Sequence, residues 1–197
     1  MHHASALPGT GPATLLDERG RPDFRDVFGA CLARAAAVEV AVTRVRLATL
    51  DLTRSELAGV RSIHVLLTEV NAITLDAEAR VLHAHPGRAR HVRLLTRLLE
   101  EGRLHVRCAP LAGWSPDFTV FHESGTAFAC LLGFHWFQRP YPHRGPALAS
   151  LHEGPAAALA SRRFREVWEQ AHDIGPAVWS ILARARARAV VIPARAG

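Results

Sequence analysis

The segment 133–145 holds a dense set of side chains that could take part in chemistry. It reads Gly-Phe-His-Trp-Phe-Gln-Arg-Pro-Tyr-Pro-His-Arg-Gly and contains two histidines, His135 and His143. Aromatic rings can stack on a nucleic-acid base, and arginine can pair with phosphate through two parallel hydrogen bonds. We therefore predict a ligand-binding loop. Its candidate ligand contacts are Trp136, Arg139 and Arg144.

The same loop has a second interpretation as a structural plug. Pro140 and Pro142 would stiffen it, and Trp136, Phe137 and Tyr141 would pack into the core, as aromatic residues of loops often do. The histidines would then bond to backbone carbonyl groups. The sequence leaves both interpretations open.

Asp117 is a second reactive candidate, at the start of an apolar run. Its carboxylate could act as a nucleophile or general base, with His122, His135 or His143 as its acid partner. His122 is also a candidate ligand contact. Alternatively, Asp117 caps a turn after Ser115-Pro116, because aspartate is frequent in turns. The chain has no H-x3-H or C-x-x-C spacing, so we expect neither a metal site nor a cofactor.

The positive charge of the chain comes from arginine alone. All 24 basic residues are arginine, and the formal net charge is +6. Arginine binds phosphate well, which favours a phosphate or nucleic-acid partner. The absence of lysine is also typical of a GC-rich coding bias, so the charge by itself does not identify a partner.

The predicted elements alternate between helix and strand. The strand-helix-strand order predicts parallel crossovers, whereas the His-Glu-Ser-Gly turn makes the strands around it antiparallel. We therefore predict an α/β fold with a mixed, mostly parallel sheet flanked by helices. The predicted helices are 23–32, 53–60, 86–101, 155–171 and a last helix from Pro176, and the predicted strands are 38–47, 63–70, 104–108, 118–121, 126–132 and 147–152.

A chain of 197 residues is suited to one domain with a sizeable core. We expect a flexible lead-in over 1–22, an α/β domain over 23–183 and a basic Arg/Ala tail over 184–197. No apolar stretch approaches the roughly 18 residues of a membrane span. We therefore expect a cytoplasmic protein without a membrane span. Three isolated cysteines in apolar segments are expected to be buried thiols: Cys31, Cys108 and Cys130.

The order of elements over 38–168, ending in an Ala-rich helix with Phe164-x-x-x-Trp168, resembles one repeat of the phospholipase D superfamily. In that family a strand carries the motif His-x-Lys-x4-Asp. Here Asp117 occupies the histidine position, Thr119 the lysine position and Ser124 the aspartate position. The resemblance implies a phospholipase D-like half whose motif is degenerate.

The missing His-Lys pair has chemical consequences. Enzymes of this superfamily attack phosphorus with one histidine, protonate the leaving oxygen with a second histidine from the other half, and hold the phosphate charge with two lysines. Loss of a nucleophile or general acid usually costs several orders of magnitude in rate. Since the chain has no lysine, no other alignment restores the motif. The resemblance therefore implies that the inherited activity is absent.

Three functions remain open at this stage. Single-repeat members of the family form homodimers, so the resemblance implies a homodimer, here one that binds a phosphate-bearing ligand such as nucleic acid. The second possibility is an active phosphodiesterase or other hydrolase rebuilt around Asp117, His135 and His143, with help from Arg139 and Arg144. The third is a structural subunit or scaffold that binds a protein partner.

Overall fold

The computed structural model describes residues 13–16, 24–43, 55–70, 77–78, 81, 89–109, 117–133 and 149–189. Within these ranges, eight strands form one sheet that is flanked by helices. The strands are Thr14–Leu16 (β1), Ala37–Val42 (β2), Ser62–Leu67 (β3), Leu104–Cys108 (β4), Asp117–Glu123 (β5), Thr126–Leu132 (β6), Ala149–Glu153 (β7) and His172–Asp173 (β8). The helices are Phe24–Arg34 (α1), Ala89–Glu100 (α2), Pro155–Trp168 (α3) and Gly175–Ala189 (α4).

The sheet has the strand order β1-β7-β6-β5-β2-β3-β4-β8, which confirms the predicted mixed sheet. Parallel pairing is confined to β2-β3 and β3-β4, and the other neighbouring strands are antiparallel. The sheet is thus less parallel than the sequence predicts. Parallel neighbours need a long crossover, whereas β5 and β6 are joined by a two-residue turn.

Both faces of the central strands are covered, which explains their continuous apolar sequences. One face packs against α1, α2 and α4, and the other packs against α3. Residues facing the first layer include Val38, Val40, Ile63, Val65, Val106 and Phe121. Residues facing α3 include Ala41, Leu66, Phe118, Val120 and Cys130.

The two ends of the described chain differ from the sequence predictions. Part of the expected flexible lead-in forms β1, which pairs with β7 and buries Leu16 completely. Three residues are too few to show the alternation by which a strand is recognised. At the other end, α4 continues to Ala189, inside the expected tail. Alanine and arginine are both good helix formers, so the Arg/Ala repeat prolongs the helix.

Two shorter segments also differ. The helix predicted over 53–60 is not found in its described part, where 55–60 forms two successive turns. In these turns the amide of Ala58 donates to the carbonyl of Ser55, and that of Val60 donates to the carbonyl of Leu57, each at 3.2 Å. The strand β8 lies between two predicted helices, where the sequence predicts no strand, because two residues are too few to show an alternating pattern.

The three cysteines are buried free thiols, as predicted. Burial raises the pKa of Cys130 to about 12 and that of Cys31 to about 11. Both groups are therefore neutral near pH 7 and unsuited to nucleophilic chemistry. Among the helices that the structure describes, none is long and apolar enough to cross a membrane.

Candidate functional site

Asp117 lies at the end of the sheet where the parallel strands β2 and β3 finish. It pairs in register with Val42, the last residue of β2, and its carbonyl accepts a 2.7 Å hydrogen bond from the amide of Gly133. Strand β6 ends at Leu132, and β7 begins at Ala149, at this same end. The segment between β6 and β7 therefore starts and finishes here. We call this end of the sheet, formed by Val42, Asp117 and Gly133, the Asp117 edge.

The carboxyl group of Asp117 is accessible but partly desolvated. Burial by its neighbours raises its pKa above the ordinary aspartate value, and a hydrogen bond from the backbone of Thr43 opposes this rise. A carboxyl group with a raised pKa keeps its proton at a higher pH than usual. This property suits acid–base chemistry, although it also arises at purely structural positions.

The other two residues that the resemblance aligns with the motif, Thr119 and Ser124, cannot touch a ligand at the Asp117 edge. Thr119 is fully buried, and its hydroxyl has no hydrogen-bond partner among the described residues. Ser124 lies at the opposite end of β5, in the turn to β6, where its φ of 51° and the φ of 83° at Gly125 reverse the chain. Of the three positions, only Asp117 remains available for chemistry.

The structure does not bring His122 to this edge, in contrast to the sequence prediction. Five residues separate it from Asp117 along β5, which corresponds to roughly 16 Å. Its side chain is 7% exposed and packs beneath α3, where Nε2 lies 2.9 Å from Oε2 of Glu39. As an odd spacing places two strand residues on opposite faces, His122 can be neither the acid partner of Asp117 nor a ligand contact beside it.

The remaining predicted site residues lie outside the described residues, and their roles stay predictions. They are His135, Trp136, Arg139, His143 and Arg144.

A polar cluster beneath α3 is not predicted from the sequence; three of its members are buried, whereas the Arg165 side chain is 61% exposed. We call Glu39, His122, Ser161 and Arg165 the Glu39 cluster. The Glu39 side chain is 8% exposed, and its Oε1 lies 3.8 Å from Nε of Arg165. Arg165 also donates to the hydroxyl of buried Ser161, from Nη2 at 2.9 Å and from Nε at 3.2 Å. The signal that could have revealed the cluster is Glu39 itself, a charged residue between two valines of a buried strand.

An aromatic group lies next to this cluster, on β3, β4 and the end of α3. The ring of His64 is 5.0 Å from that of Trp168 and 5.2 Å from that of His105. Arg107 donates to the Trp168 carbonyl at 2.8 Å, and its guanidinium lies 4.8 Å from the centre of the Trp168 ring. Burial, and then the charge of His105, lowers the pKa of His64, so this imidazole is neutral near pH 7.

These contacts tie α3 to the sheet and do not form a reactive site. Ser161 is fully buried and already accepts hydrogen bonds from Arg165, so it is not an accessible nucleophile. In the part of the chain that the structure describes, no group of three or more histidine, cysteine, aspartate or glutamate side chains is arranged to hold a metal ion. The Asp117 edge therefore remains the candidate site.

Comparisons with known proteins give structural similarity without sequence similarity. No family model matches the chain, and no curated protein does. The structure is similar to that of Nuc from Salmonella typhimurium, a phospholipase D family member, with 8% identity, a TM-score of 0.48 and coverage of 82% of this chain and 97% of Nuc. It is also similar to phosphatidylserine synthase from Haemophilus influenzae Rd KW20, with 11% identity, a TM-score of 0.48 and coverage of 91% of this chain and 47% of the synthase.

A third similar structure is TrmBL2, an archaeal chromatin protein, with 14% identity, a TM-score of 0.47 and coverage of 87% of this chain and 56% of TrmBL2. The chain thus spans about half the length of TrmBL2 and of the phosphatidylserine synthase, and nearly all of Nuc.

Replacement of His122 by leucine should destabilise the domain strongly. The change leaves the buried Glu39 carboxyl group without its nearest polar neighbour, and a buried polar group without a partner typically costs about 1–3 kcal/mol of the free energy of unfolding. The double variant Glu39→Leu/His122→Leu removes both polar groups and should recover most of this loss. Urea unfolding followed by circular dichroism measures the free energy of unfolding of wild type and of the two variants. Arg34→Ala is the control, since it breaks an exposed ion pair with Glu123 and should cost less than about 1 kcal/mol. A loss in His122→Leu no larger than in the control would contradict the assignment.

Asp117→Asn should stabilise the domain at pH 7. Because folding raises the pKa of this carboxyl, the folded state binds its proton more tightly than the unfolded state does. The contribution of Asp117 to the free energy of unfolding therefore falls as the pH rises from the unfolded pKa through the folded pKa. The gain from Asp117→Asn should therefore shrink towards zero below about pH 4. Thermal unfolding at pH 4 and pH 7 measures it. Glu123→Gln, at the other end of β5, is the control and should give no gain. A gain in Asp117→Asn that does not depend on pH would refute the desolvation of this carboxyl.

Proposed function

We propose that the chain is a catalytically degenerate phospholipase D-like domain that binds a phosphate-bearing ligand, with nucleic acid as the source of the phosphate, and that it acts as a homodimer. The observation that carries the proposal is the pair of residues on β5 at the positions that the resemblance aligns with the family's histidine and lysine. A carboxyl group stands at the position of the family's histidine, and a fully buried threonine, Thr119, stands at that of its lysine.

The chemistry of this edge argues against the inherited reaction. Thr119 carries no charge and has no access to a ligand, so it cannot neutralise a phosphoryl oxygen. When ionised, Asp117 repels a phosphate placed beside it. Arginine is the only basic residue type in the chain that stays charged near pH 7 whatever its surroundings. Binding of phosphate at this edge would therefore depend on arginine side chains.

Arginines occur in the segment that follows the Asp117 edge in the chain and on the outer surface of the described helices. The segment after Gly133 contains Arg139 and Arg144 and starts beside Asp117. The net charge of +6 attracts a polyanion over distances of about 10 Å, and this attraction falls as salt screens it. Exposed arginines on the described helices include Arg93, Arg162, Arg184 and Arg186.

The proposed dimer follows from the single repeat. One domain presents one Asp117 edge, and a two-fold axis would place two such edges side by side, which gives a longer surface for an extended ligand. Sedimentation equilibrium of the free protein should give twice the mass of 21.5 kDa. A mass of one chain at micromolar concentration would remove the dimer from the proposal.

Binding to a fluorescein-labelled single-stranded DNA of about 20 nucleotides should weaken steeply with salt. For about four phosphate contacts, the dissociation constant should rise roughly 50-fold between 50 and 200 mM salt. Fluorescence anisotropy measures it. Arg139→Ala/Arg144→Ala should weaken binding, whereas Arg34→Ala, whose guanidinium is paired with Glu123, serves as a matched control with little effect. Absent or salt-independent binding would sink the proposal.

A rebuilt hydrolase is the second candidate, and the raised pKa of the Asp117 carboxyl favours it. This function predicts turnover of bis(p-nitrophenyl) phosphate by the purified protein, and its loss in Asp117→Asn and in His135→Ala/His143→Ala. Under the leading proposal, release of p-nitrophenol stays at the uncatalysed rate in wild type and in both variants. If neither binding nor turnover is measured, the scaffold function remains, and it predicts a protein partner that co-purifies.

A further inference from the structure

Helix α4 carries a tryptophan that the fold covers only in part. The Trp179 side chain is 44% exposed, whereas its neighbours Val178, Ile181 and Leu182 are buried. These three residues anchor α4, so Trp179 is not needed to hold the helix in place. An aromatic ring left in water is a common feature of binding surfaces.

Trp179 shares one stripe of α4 with an exposed arginine. Trp179, Ala183 and Arg186 follow the spacing i, i+4 and i+7, which places them along one side of the helix. Trp179 and Arg186 are then roughly 10 Å apart along the axis. Between them lies Ala183, whose side chain is small and partly exposed.

The charge around this stripe is positive and is not neutralised by neighbours in sequence. Residues 174–197 contain four arginines and no aspartate or glutamate. By contrast, the outer side of α3 mixes signs: Arg163 lies 3.1 Å from Glu166, and a cavity of about 370 Å³ there is lined by residues of both charges. Arginines near a helix C-terminus also interact favourably with the helix dipole, but that interaction does not explain why Trp179 is exposed.

We propose that α4 is a contact surface for single-stranded nucleic acid, separate from the Asp117 edge, on which Trp179 stacks against an unpaired base and Arg186 pairs with a nearby phosphate. This inference rests on the nucleic-acid binding proposed above and specifies its substrate class. A duplex hides the faces of its bases in its own stack, whereas a single strand offers them to an aromatic ring. The positive charge of α4 complements the phosphates that accompany such a base.

The test compares Trp179→Ala and Arg186→Ala with wild type on a labelled 12-nucleotide oligothymidylate and on a duplex of the same length. Trp179→Ala should weaken binding to the single strand roughly tenfold and leave the duplex unaffected. Trp179→Phe keeps an aromatic face and should recover most of the affinity. Arg186→Ala should reduce the slope of log K against log salt by about 0.7, the value for one lost contact on a single strand.

Two exposed residues elsewhere give matched controls: Leu15→Ala on β1 removes an exposed apolar side chain, and Arg163→Ala on α3 removes an exposed arginine whose charge is already paired with Glu166. Circular dichroism verifies that each variant is folded. If wild type binds the oligonucleotide and Trp179→Ala binds equally well, the α4 surface is refuted while the proposed function stands. If wild type does not bind at all, both are refuted. If Trp179→Ala loses affinity equally for the single strand and the duplex, base stacking at this residue is refuted. A change in the oligomeric mass of Trp179→Ala would refute it as well.

Discussion

The buried carboxylate of Glu39 constrains how the layers of this domain fit together. It lies in the central strand β2 and is nearly inaccessible to water, so it requires polar partners from the elements that cover it. His122 reaches it from β5, and Arg165 approaches it from α3. A shift of β2 by one residue would turn Glu39 towards the apolar layer formed with α1, α2 and α4, where these partners are absent from the described core. The cluster thereby favours one register and one position of α3.

The position of the candidate site follows from that register. With Ala37 opposite His122, the antiparallel ladder carries Val42 to a place opposite Asp117, at the far end of β5. Backbone hydrogen bonds extend beyond the strand ends, from Thr68 to Val42 at 3.3 Å and from Glu69 to Thr43 at 2.9 Å. The residues around the Asp117 edge are thus held by main-chain contacts. The polar groups that specify the fold lie near one end of β5, and the group available for chemistry lies at the other.

The sequence predicts most of this framework where the pattern within an element is long enough. Strand β4 and helix α2 follow directly from their periodicities, and Gly125 marks the turn between β5 and β6. The contact between Glu39 and His122 cannot be predicted from the sequence, because it depends on the register of two strands about 80 residues apart in the chain. The separation of His122 from Asp117 can be predicted from the sequence, since two residues five positions apart on a strand point to opposite faces of the sheet. The prediction that His122 is the acid partner of Asp117 is wrong for this reason.

The proposed loss of catalysis has a structural counterpart in Thr119. A lysine at this position would have to carry a charge into a site that is now completely closed, at a cost of several kcal/mol per buried ion. The threonine fits because its small side chain belongs to the packed interior of the sheet. A position that would serve chemistry thereby contributes to the core instead. Under the proposed function, the ligand is contacted by exposed side chains, namely arginines and an aromatic ring. Such contacts act through charge and stacking at the surface, and they require a rigid support more than a preorganised pocket. The paired strands of the sheet, with helices packed on both faces, provide that support.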